Sequence, residues 1–95
     1  MKVVHKYHLA ELGNEVTIAL PLNSNILFVD IQDNLPCMWV EVHPTAQLKE
    51  RIFKSVGTGV EISDKWNYIG SCQHHTLYKY RTLYNKIVVY HIYEK

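Results

Sequence analysis

The stretch Asn25–Val42, NILFVDIQDNLPCMWVEV, constrains the fold more than any other part of the chain. Two runs of β-favouring residues flank a polar break at Asp33-Asn34-Leu35. That pattern predicts a β-hairpin at the centre of a sheet. Successive strand side chains alternate between faces. Ile26, Phe28, Asp30 and Gln32 should therefore share one face, with Leu27, Val29 and Ile31 on the other. On the return strand Met38, Val40 and Val42 oppose Cys37, Trp39 and Glu41. Pro36 falls at the first residue of that strand, where its missing N–H costs least. Trp39 has two readings. It is a core residue whose indole N–H finds a carbonyl, or a stacking platform on a half-exposed face that it shares with Glu41.

The rest of the chain continues in short β-like runs. Lys2–Leu9 reads as a first strand, and Gly13-Asn14 as a turn. Glu15–Leu20 alternates cleanly, with Val16, Ile18 and Leu20 inward and Pro21 ending the run. His43–Gln47 is a proline-marked loop, followed by a strand over Lys49–Val56. One short helical turn fits at Ala46–Glu50. Val60–Ile62 resumes the β pattern briefly. Trp66–Gln73 is a further strand, in which Gly70 marks a bulge or a close backbone approach. Ile87–Tyr93 closes the series. Residues 1–95 thus form one domain. The expected fold is all-β, a small antiparallel β-sandwich or partly open barrel of six to eight short strands. Its expected core is Val16, Ile18, Leu27, Val29, Val40, Ile52, Ile69, Val89 and Ile92.

Ten basic and nine acidic residues leave a net charge of +1, which argues against nucleic-acid binding by bulk electrostatics though not against a local basic patch. No apolar run is long enough for a membrane span. His5, Lys6 and His8 interrupt any secretory segment at the start, so a cytoplasmic location is expected. Cys37 and Cys72 are far apart, form no CxxC motif and read as free buried thiols. The long runs Val3–Leu9 and Ile87–Tyr93 carry no proline. They read as open sheet edges, and a homo-oligomer is expected from them.

Chemistry-bearing motifs are sparse. The six histidines form no HxH or HExxH pattern. His74-His75 would point to opposite faces of a strand, and His91 reads as a core histidine. Cys72 and His74 share a face, but no activating signature accompanies them. Nothing calls for a cofactor or a metal. The chain reads as a non-enzyme, with a metal-independent nuclease or phosphodiesterase as the enzymatic alternative. Gly57-Thr58-Gly59 is a tight turn or, through Thr58 and its backbone N–H groups, an anion-binding nest. Tyr78, Lys79, Tyr80 and Arg81 interleave aromatics with cations. Such a strip stacks a base and holds its phosphate, forms a protein interface, or is an exposed hairpin. The expected binding residues are these four with Trp39 and Thr58.

Several short motifs occur together: His5-Lys6-Tyr7, Leu20-Pro21, Ile26-Leu27 with Val29 and Gln32, Pro36 with Trp39, Val42 and Pro44. They continue with Gly57-Thr58-Gly59, Tyr68-Ile69-Gly70 with Gln73, and His91-Ile92-Tyr93-Glu94. In these the chain resembles, over nearly its whole length, a family of small bacteriophage and prophage proteins of unknown function. It departs from that pattern at His74–Asn85, which is longer than the tight turn expected there. The resemblance implies a viral source and a binding role in the host cytoplasm. That role is counter-defence or host takeover through a host protein or, alternatively, sequestration or degradation of a nucleotide signal.

Overall fold

The computed structural model describes residues 1–77 and 85–95, with side chains for 1–74 and 88–95. The described residues form seven strands: β1 (Val3–His8), β2 (Glu15–Pro21), β3 (Asn25–Gln32), β4 (Leu35–Val42), β5 (Leu48–Gly57), β6 (Asn67–Leu77) and β7 (Asn85–Glu94). They form two antiparallel sheets, β1-β4-β3 and β2-β5-β7-β6. The fold is a small β-sandwich and not a closed barrel, as the β-periodicity predicted. No residue described is helical. The helical turn expected at Ala46–Glu50 is absent because β5 already pairs with β2 from Leu48 onward.

The hairpin forms, but only β4 is in the middle of its three-stranded sheet, and β3 is at the edge rather than at the expected centre. The hairpin turn is the two residues Asp33 and Asn34, with φ of 54° and 66°. Positive φ at both positions is the primed geometry whose twist matches the flanking strands, and Asp and Asn tolerate it better than other non-glycine residues. On β4, Met38, Val40 and Val42 are fully buried between the sheets. They form the core with Leu9, Leu20, Val29, Phe53 and Ile92.

The core departs from expectation at three places. Leu27 is an extra residue in a bulge between Ile26 and Phe28. The bulge turns Ile26 and Val29 inward together and leaves Leu27 53% and Phe28 56% exposed. On β5, Phe53 rather than Ile52 faces the core. Val89 lies on the outward face of β7, two residues from His91, while Tyr90 and Ile92 point in. Val60–Ile62 is not a strand, and Val60 is exposed. The last run is not a sheet edge, because β7 lies between β5 and β6.

A second bulge, at Ile69 on β6, lies opposite the first. Gly70 there approaches Val29 of β3 so closely that the two sheets meet at this seam. The bulge and the close approach read at Gly70 both occur. One end of the sandwich is tied by Arg51. Its Nε and Nη2 donate to the two Glu94 carboxylate oxygens at 2.5 and 2.7 Å, and Nη1 donates to the Ser24 carbonyl at 3.0 Å. This bidentate geometry holds the guanidinium proton and raises the Arg51 pKa.

Candidate functional site on the outer face of the four-stranded sheet

Among the described residues, the outer face of β5-β7-β6 carries a connected set of polar side chains. On β7 the outward residues are His91 and Tyr93, opposite Ser71 and Tyr68 of β6. Lys54 of β5 is opposite Tyr93. Strict alternation would put Tyr68 and Ser71, three residues apart, on opposite faces. The extra residue at Ile69 brings them to the same one. Gly57 ends β5, and the turn that follows, with Gly59 at φ 87°, carries Thr58 over the same face.

These side chains form one hydrogen-bonded row. Thr58 Oγ1 lies 2.9 Å from His91 Nε2, and Ser71 Oγ lies 2.8 Å from His91 Nδ1. The Tyr68 hydroxyl lies 2.6 Å from Ser71 Oγ. A neutral imidazole has one donor and one acceptor nitrogen, so its tautomer sets the direction of the row. His91 is therefore held from both sides on an open sheet face and is not a core histidine. Its partners are hydroxyls, and no carboxylate orients it. The row is suited to presenting fixed donors and acceptors.

An aromatic and cationic patch adjoins it. The Tyr68 and Tyr93 rings pack edge to face at 5.6 Å. Beyond them the Lys54 and Lys95 ammonium groups lie 5.7 and 5.8 Å from the centre of the Trp66 ring. At that range both are attracted to its π face, and two positive charges are held beside the hydroxyl row.

Two of the residues read from the sequence can be placed, and they are not together. Thr58 belongs to this row. Trp39 is half-buried on the outer face of the other sheet, packed on Phe28 at 5.6 Å. It is not core, because Met38 and Val40 take the inward positions. One site cannot contain both. Tyr78, Lys79, Tyr80 and Arg81 lie outside the described residues. Trp66, Tyr68, Ser71, Tyr93, Lys54 and Lys95 were missed by sequence reasoning. Alternation hides the row, and only the glycine at 70 signals the bulge that creates it.

The thiols are inert by position. Cys72 is 6% exposed, and burial pushes its pKa up to about 11. His74, on the same inward face, donates from Nε2 to Asn34 Oδ1 at 3.2 Å rather than serving the thiol. Cys37 is also buried and raised, with its sulfur 3.3 Å from His8 Nδ1. Both cysteines are free.

Fold and site together define a small all-β sandwich with one organised polar face. The chain belongs to a family described as a domain of unknown function, DUF7352, which matches residues 1–95. No curated protein and no solved structure matches it.

Proposed function

We propose that this protein is a non-enzymatic binding module that engages a partner protein through the outer face of β5-β7-β6. The observation that carries this reading is the row Thr58–His91–Ser71–Tyr68 beside the Lys54–Trp66–Lys95 cluster. Aromatics and fixed polar groups on an open face suit a protein surface. A small molecule is better held in a concave pocket, and the lysines already occupy the Trp66 ring on which a base would stack. The resemblance to phage proteins makes a host factor in the bacterial cytoplasm the partner, in counter-defence or takeover. The second reading is a nucleotide signal, bound or degraded. Two adjacent ammonium groups and the Thr58-Gly59 turn favour it, since both suit phosphate.

The test compares wild type with Lys54→Ala/Lys95→Ala, His91→Ala and Tyr80→Ala/Arg81→Ala. A host-lysate pull-down is run beside a thermal-shift and product assay on a panel of cyclic nucleotides. The expected result is a captured protein that the Lys54/Lys95 variant loses while its melting temperature holds. If the 78–81 strip is the hot spot instead, its variant weakens binding by about 2–4 kcal/mol and the Lys54/Lys95 variant binds normally. A nucleotide that raises the melting temperature selects the second reading, and turnover overturns the non-enzymatic one.

A further inference from the structure

We infer that β1 is a self-association edge, and that two copies of this chain pair their β1 strands antiparallel about a twofold axis centred on His5. The two three-stranded sheets would then join into one continuous sheet of six. The sandwich has four sheet edges: β1, β3, β2 and β6. Edges invite strand addition unless they are blunted. Both β3 and β6 are broken by bulges and abut each other at the Val29–Gly70 contact. The β2 edge ends in Pro21, which has no N–H to donate. The β2 register is otherwise regular, and β1 alone of the four edges combines regular pairing over its six residues with neither proline, glycine nor bulge. Among the described residues it pairs with β4 on one side and with no strand on the other.

The side chains of β1 fit a second copy. Val3 and Tyr7 pack on the core but remain half-exposed, and His5 between them is exposed although it is paired with the buried Val40. The core-facing side of this edge is thus incompletely covered. In an antiparallel pair, directly opposed residues share a face. Centring on His5 sets Val3 against the partner's Tyr7, and Tyr7 against the partner's Val3, so the half-covered apolar groups cover each other twice. On the outer face Val4 meets the partner's Lys6. Centring on Lys6 instead would oppose two ammonium groups, which is unfavourable. The lysines do not bar the edge. In the single chain Lys6 Nζ donates to Gln32 at 2.8 Å, an exposed bond it can exchange for a group at the partner's residue 4, and Lys2 Nζ lies 3.4 Å from Glu41.

Val4 tests this because it is 52% exposed, so the monomer tolerates a charge there. Sedimentation equilibrium of the full chain should return twice the 11.1 kDa of one copy. Val4→Lys places two lysine pairs in apposition per dimer and should raise the dissociation constant several-fold. Val4→Glu creates two Glu–Lys pairs and should lower it. Melts at dilutions where all three are monomeric check that the fold is intact. Should Val4→Lys fail to fold, the direction of the Val4→Glu change still decides. A wild-type monomer at high micromolar concentration would overturn the inference. So would a dimer indifferent to the sign of the charge at Val4.

Discussion

Gly70 and Val29 face each other across the seam between the two sheets, so closely that a Cβ on Gly70 would lie 2.8 Å from Val29 Cγ2. The contact lies where the bulged strands β3 and β6 meet, beside the extra residue at Ile69 that builds the outer-face row. Ser71 reaches His91 only because Ile69 and Gly70 hold β6 in its shifted register.

Gly70→Ala should therefore destabilise the protein by about 1–3 kcal/mol, the range for overpacking a well-filled site. Val29 is 7% exposed, and its β-branched side chain is stiff at χ1, so turning the methyl away costs a rotamer change. Adding Val29→Ala should recover part of the loss, since it removes the clashing methyl. Urea midpoints of the two variants check this. Equal stability of wild type and Gly70→Ala would show that the seam opens freely.

Arg51 joins β5 to Glu94 of β7 and to the Ser24 carbonyl with three hydrogen bonds. The two charged side chains are 22% and 16% exposed, so water replaces these bonds poorly. Arg51→Met should cost about 2 kcal/mol, much of it from leaving the Glu94 carboxylate short of donors. Arg51→Met with Glu94→Gln should cost less than the sum of the single changes. A double-mutant cycle by thermal unfolding, with coupling near zero, would reject the clamp.

Cys72 supplies a pH prediction. Its thiol titrates near 9.0 when unfolded and at about 11 in the fold, because burial disfavours the thiolate. The folded pKa is raised, so the associated stability is complete below pH 9 and is lost as pH rises through 11. Cys72→Ser or Cys72→Ala should flatten that alkaline decline. At pH 8 the native thiols should react with iodoacetamide far more slowly than those of the unfolded chain. Alkylation at the unfolded rate would mean the sulfur is exposed.

Strand periodicity revealed the fold class, but not the core at every position. Val16, Ile18 and Leu20 point inward as their alternation requires, and Asp33-Asn34 turns where its composition demands. Leu27 and Ile52 do not follow the reading. One is displaced by a bulge, and the other lies on the opposite face from Phe53. Apolar character alone does not say which face of a strand will be covered.

By itself the sequence determined that the chain would be β-rich, where most of its strands run, and that Asn25–Val42 forms a hairpin. These are local matters of alternation, branching and turn chemistry. Tertiary structure decided which strands became edges, and so moved the last run from the rim to the interior. It also decided that Trp39 and Thr58 lie on different faces, and that Thr58, His91, Ser71 and Tyr68 meet. That row joins residues from three separate segments through one inserted residue at Ile69. An insertion of one residue reverses every face that follows it, and its effect appears only once the strands have paired.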